Sequence, residues 1–142
     1  MAVKRLDPVS TDMNATETVE AYYAALRAGD PLGPFFAGDG DREVVKFGLS
    51  ERLVGTEAVR AGLREQTETT ADWTVDSRAL RVTERDGYAW FSDDVRLCWT
   101  DAETGERHAY DTRWSGTLEA TGEARDWQFV GLHVSTADDL SE

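Results

Sequence analysis

Residues 14–31, NATETVEAYYAALRAGDP, decide how the rest of the chain is read. Val19, Tyr22, Tyr23 and Leu26 recur at i, i+3, i+4 and i+7, which places them on one stripe of an amphipathic helix. Asn14 with Glu17 three positions on forms a capping box, and Gly29 followed by Pro31 supplies the stop. A short turn or helix through Leu32 to Phe36 follows, then a Gly/Asp loop and a strand-like run from Glu43 to Phe47. A second helix is predicted from Thr56 as N-cap to about Gln66, burying Val59 and Leu63. Residues 72–135 then change character and read as four long strands. Turn signals part them at Asp86-Gly87, at Asp101 to Glu106 with Gly105, and at Thr121 to Asp126 with Gly122. Within the first of these strands the apolar phase shifts between Trp73/Val75 and Leu80/Val82, which predicts a bulge near Ser77 to Ala79. Helices first and an antiparallel meander afterwards predict an α+β architecture with the helices on one face of the sheet. The domain spans residues 14–136, preceded by a mobile arm over 1–13 and followed by an acidic tail over 137–142.

Composition narrows the class of function. The 142 residues carry 28 acidic and 15 basic side chains, a net charge of -13, so nucleic acid and anionic membrane surfaces are excluded as expected partners. No run approaches the ~20 apolar residues that cross a bilayer, and Met1 to Leu6 lacks a signal-peptide core, so a cytoplasmic, soluble protein is expected. Only Lys4 and Lys46 are lysines, and the acids are rich in aspartate, a balance that suggests adaptation to high salt. A fold indifferent to molar salt would remove that expectation. Cys98 is alone, within the apolar run Val95 to Trp99, and reads as a buried inert thiol. With only His108 and His133 besides, no metal site or cofactor is expected. Asp39, Asp41 and Glu43 mimic the start of a calcium loop, but Val44 and Ser50 stand where the glycine and closing glutamate are needed. Gly38-Asp39-Gly40 is read as a turn rather than a dinucleotide loop.

Three stretches carry a family resemblance: TVEAYYAALRAGDPLGPFFAGD at 18–39, VGTEAVRAGL at 54–63, and TRWSGTLE with DWQFVGLHVS at 112–119 and 126–135. Together they resemble the SnoaL-like branch of the NTF2-like superfamily, which includes ketosteroid isomerase and the kinase-association domains. The resemblance implies a cone, a curved sheet wrapped around the first helix with a pocket at its open end, commonly in a dimer built on the outer sheet face. It also implies roles. Tyr22 matches the oxyanion-hole tyrosine of ketosteroid isomerase, and Asp111 or Arg113 falls near the second oxyanion-hole group. Lys46 occupies the position of the catalytic base, so steroid isomerisation itself is not implied. Arg113 in TRW resembles the arginine with which kinase-association pockets face small carboxylates.

The residues themselves leave alternatives open. Tyr22 on the helix stripe suits a core tyrosine as well as an acid. Lys46, between Val45 and Phe47, fits either an edge strand with a snorkelling amine or a pocket. Asp93 and Asp94 point to opposite faces of one strand. Family position favours Asp94, with Trp90 and Ser92, as pocket-facing, whereas periodicity groups Asp93 with Phe91, Val95, Leu97 and Trp99. Were the apolar face the outer one, it would be a dimer surface. Asp111 and Arg113 share a face and could pair. His133 alternates with Trp127, Phe129 and Ser135 and reads as structural or interfacial. The expected function is a pocket for a modest apolar ligand bearing a carbonyl or carboxylate. Tyr22, Lys46 and Asp94 would be the catalytic set for isomerase, cyclase or dehydratase-type proton transfer, and Trp90, Ser92, Asp111 and Arg113 the ligand contacts. The alternative is a non-catalytic dimerisation module with a vestigial pocket.

Overall fold

The computed structural model describes residues 13–38, 43–121 and 126–138. Nearly all of the predicted arm, the end of the tail, most of the Gly38 to Glu43 loop and the turn at Gly122 lie outside the described residues. Helix α1, Ala15–Ala28, begins and ends on the signals of its sequence. Asn14 accepts from the Glu17 amide, Glu17 reaches back to the Asn14 amide, and Gly29 adopts the left-handed conformation at φ 76°. A 3₁₀ turn, Gly33–Phe35, follows. Strands β1, Val45–Phe47, and β2, Arg52–Val54, form a small hairpin, and β2 has no periodic signal in so short a run. Helix α2 runs Thr56–Thr69, with Gly55 rather than Thr56 as its N-cap. The Thr56 hydroxyl instead donates to the Ala37 carbonyl.

The remaining strands are β3, Thr70–Ser77; β4, Arg81–Glu84; β5, Tyr88–Asp101; β6, Arg107–Thr121; and β7, Asp126–Thr136. The predicted bulge near Ser77 to Ala79 is a full break: β3 and β4 are separate strands that both pair with β5. The sheet runs β2-β1-β7-β6-β5-β3, with β4 also on β5. It departs from a pure meander where β1 joins β7 in parallel. That junction removes β1 from the edge, so the edge-strand reading of Lys46 does not apply.

Helix α1 lies across the concave inner face and is tied at both ends. The Ala15 amide donates to Glu84 of β4, and the Arg27 guanidinium donates twice to the Val75 carbonyl of β3. Its stripe buries Val19, Tyr22, Tyr23 and Leu26 against Phe91, Val95, Leu97, Trp114, Leu118 and Phe129. The apolar face of β5 is therefore the inner one and is covered by α1. Gly116 allows this closeness, since a Cβ there would lie 2.7 Å from the Phe91 ring and from the Gly131 carbonyl. One phase change escaped the periodicity. The β6/β7 register skips a residue at Val130, because Thr117 faces Gly131 while Leu118 faces Phe129. Trp127 and Phe129 consequently point inward, whereas His133 points outward against Phe47, at 5.4 Å between rings.

Candidate functional site

A cleft of about 330 Å³ opens between α2, the β1–β2 turn and the inner sheet face. Leu26, Leu97, Trp114, Leu132 and Val134 give it apolar walls. Into it project Tyr22 from α1, Lys46 from β1, Glu51 from the turn, Glu65 from α2, and the indoles of Trp73 and Trp99. Of the candidates drawn from the sequence, Tyr22 and Lys46 are brought together here.

Tyr22 is held by edge contacts with Phe35 and Phe129, both at 5.3 Å, and with Trp114 at 6.1 Å. Its hydroxyl has no hydrogen-bond partner among the described residues. Burial, with the Glu51 carboxylate as a second cause, pushes the phenol well above its ordinary range, so it remains a proton donor. The Lys46 side chain is 6% exposed, and its Nζ lies 2.7 Å from Glu51 Oε2. Glu51 reaches that position because the turn is tight, closed by the Gly48 amide donating to the Glu51 carbonyl at 3.0 Å. Gly48 leaves room for the carboxylate to fold back, since a Cβ there would sit 2.8 Å from Glu51 Cγ and Oε2. Sequence reasoning gave Glu51 no role. In isolation GLSE reads as a solvated turn, and the only signal was a glutamate five residues after a lysine across an unrecognised hairpin.

The other expected site residues are elsewhere. Asp94, Trp90, Ser92, Asp111 and Arg113 all project from the outer face of β5 and β6 and are exposed, on the far side of the sheet from the cleft. The strand alternation that buries Phe91, Asp93 and Val95 sends Asp94 out, so the family-position reading of Asp94 is corrected in favour of the periodicity. Asp93 is the inward carboxylate, but it does not line the cleft. It accepts from the Tyr23 hydroxyl at 2.8 Å, the Ser77 hydroxyl at 2.5 Å and the Ala79 amide at 2.9 Å. It thereby ties α1 to the β3–β4 break. Burial first, then the bond to Asp93, raises the Tyr23 phenol far above its usual range. Asp111 pairs not with Arg113 but across the strands with Arg96, at 3.2 Å, and with Arg78, at 3.7 Å. With Arg113 outside, the carboxylate anchor implied by the resemblance is not in the cleft. Cys98 also faces outward and is half-buried rather than sealed in the core. Among the described residues no group of three or more His, Cys, Asp or Glu side chains is arranged to hold a metal ion. No helix of the described residues is long and apolar enough to cross a membrane.

Two helices cradled by a curved, open sheet, with a polar cleft at one end of an aromatic core, define the NTF2-like α+β cone. Solved structures share it. A candidate dehydratase of the NTF2-like family from Streptomyces avermitilis superposes with a TM-score of 0.76 at 14% identity, covering 87% of this chain and 94% of that one. A ketosteroid isomerase-like protein from Erwinia carotovora atroseptica gives 0.70 at 17% identity over the same shares. A candidate scytalone dehydratase from Novosphingobium aromaticivorans gives 0.71 at 13% identity, covering 87% and 81%. The family model for the SnoaL-like domain matches residues 15–139, and the chain belongs to that family. No curated protein matches it.

Proposed function

We propose that the cleft is a small-molecule site for cofactor-independent proton transfer on a ligand bearing a carbonyl. The observation that carries this reading is the ion pair of Lys46 and Glu51, 2.7 Å long, set beside the Tyr22 hydroxyl in an aromatic cleft. Each group has a separate task. Tyr22 and the Lys46 ammonium donate hydrogen bonds to the carbonyl oxygen and stabilise the oxyanion as it develops. Glu51 Oε takes the proton from the adjacent carbon as the electron pair moves onto that oxygen, and returns it when the carbonyl reforms. Isomerisation results if the proton returns to a different carbon, and dehydration results if a β-hydroxyl leaves as water instead. The candidate dehydratases among the structural relatives agree with this chemistry but share only the fold with this chain.

The test uses 2-tetralone, a neutral enolisable ketone, in D2O. The protein is expected to accelerate exchange of the α-protons above the buffer rate, followed by NMR. Glu51→Gln should lower the acceleration by ~10²-fold or more, and Tyr22→Phe by about 10²-fold. Exchange no faster than buffer, or a Glu51→Gln protein as active as the parent, would sink the reading.

A second reading concerns the outer face. Tyr88 and Trp90 stand 49% and 44% exposed there, stacked on each other at 6.0 Å, with the Arg85 guanidinium over the Trp90 ring. We propose that a second copy of the chain covers them in a homodimer built on the outer sheet face. Light scattering on Trp90→Lys should then show a weaker dimer; a parent protein that is monomeric at high concentration would remove this reading.

A further inference from the structure

We infer that the cleft sorts ligands by charge: it takes a flat molecule carrying a cationic amine, seated beside Glu65 and the Trp73 indole, and turns away carboxylates. This rests on the reading of the cleft as a small-molecule site. Among the described residues Lys46 is the only basic side chain lining it, and that charge is already matched by Glu51. Glu65 adds a second carboxylate, which has no hydrogen bond or ion pair with any described residue. The lining therefore sums to one negative charge, from Lys46 against Glu51 and Glu65. Among the described residues no arginine lines the cleft. Arg27 and Arg107 keep their charge but direct their guanidiniums to the Val75 carbonyl and to the Asp72 carbonyl and Thr100 hydroxyl. An incoming carboxylate would meet two like charges, and the one cation in the lining, Lys46, is already paired with Glu51.

The aromatic wall has the complementary character. Between Ala71 and Thr74 the β3/β5 register shifts, and Asp72 takes the left-handed conformation at φ 56°. Arg107 holds the Asp72 carbonyl at 2.6 Å. This bulge directs Trp73 into the cleft, stacked on Trp99 at 4.9 Å and 20°. The Trp73 indole N–H is occupied by the Thr70 hydroxyl at 2.8 Å. With its donor edge used and one face covered by Trp99, the indole has its other π-face left for a ligand, and the negative quadrupole of that face favours a cation.

The experiment is calorimetric titration with three probes on one bicyclic frame: 2-naphthylmethylammonium, 2-naphthol and 2-naphthoate. About 1 M NaCl shortens the Debye length to ~3 Å, so the diffuse field of the acidic chain is removed and local contacts remain. The ammonium is expected to bind about fivefold more tightly than the naphthol, with the naphthoate weakest. Glu65→Gln should abolish the advantage of the ammonium. Glu57→Gln, an equal charge change on the exposed first turn of α2 and outside the cleft, should leave it intact. Naphthoate binding as tightly as the ammonium, or an advantage that survives Glu65→Gln, overturns the inference. Naphthol binding without any charge preference overturns the inference alone. Failure of all three probes to bind overturns it together with the proposed site.

Discussion

The inner and outer faces of the sheet place neighbouring residues of one strand in different chemical worlds, and β5 shows this most plainly at Asp93 and Asp94. Asp93 is 4% exposed and saturated by three donors from α1 and the β3–β4 break, while Asp94 projects into solvent opposite Arg113. A carboxylate of one type is a structural knot on one side and a solvated charge on the other. The same division runs along β6, where Trp114 closes the cleft and Arg113 lies outside it. Residue type and chain position therefore say little about role until the face is known.

Substitution at these pairs is the most direct way to break the comparison. Asp93→Ala leaves the Tyr23 hydroxyl and the Ala79 amide without their acceptor, and should cost about 3 kcal/mol in chemical unfolding. Asp94→Ala should change stability by no more than ~0.5 kcal/mol. Equal effects would mean that the faces are wrongly assigned. Gly116→Ala forces a methyl against the Phe91 ring and the Gly131 carbonyl and should cost about 2 kcal/mol, because backbone cannot yield as a flexible side chain can.

Alkaline titration sharpens the same contrast on the inner face. Tyr22 and Tyr23 have phenols raised by burial, whereas in the unfolded chain they ionise near ~10. Above that pH the unfolded state loses protons that the folded state retains, so their contribution is complete below pH ~10 and declines as pH rises. Each buried tyrosine should add a slope of about 1.4 kcal/mol per pH unit, and Tyr23→Phe should remove one such increment. The smallest effect belongs to the outer face. Arg113→Ala should leave 2-tetralone exchange within about twofold of the parent, whereas a loss of tenfold or more would show that Arg113 reaches the ligand after all.

Much of the architecture was legible in local pattern. The α1 stripe, its capping box and its glycine stop are interactions within a few residues, so sequence spacing reports them directly. The long strands and the turns at Asp86-Gly87 and Gly105 were equally visible, and so was the sharing of one face by Asp93 and the apolar residues of β5, whereas the direction of that face was left open. What failed to show were events that need a partner strand. The skipped residue at Val130 and the bulge at Asp72 each change the phase of the chain, and each is set by how two strands meet, while the phase shift near Ser77 was visible but not that it divides the run into two strands. The phase change at Val130 put His133 on the opposite face from Trp127 and Phe129. Site residues carried over by likeness went astray at Asp94, Trp90, Ser92, Asp111 and Arg113, because positional matching along a strand is unsafe by one residue, and one residue reverses the face.

Sequence alone determined that the chain forms α1 and that a long-stranded sheet must bury one apolar face on the helices, and its acidic balance set the expectation that polyanions are poor partners. These follow from periodicity and charge, which are properties of neighbours along the chain. Tertiary structure alone decided that Lys46 is ion-paired with Glu51, that the cleft carries Glu65 and Trp73 rather than Arg113, and that Asp93 is tied down by Tyr23. Those contacts join residues from different elements, and their distances are set only when β1 docks on β7 and the sheet curls around α1.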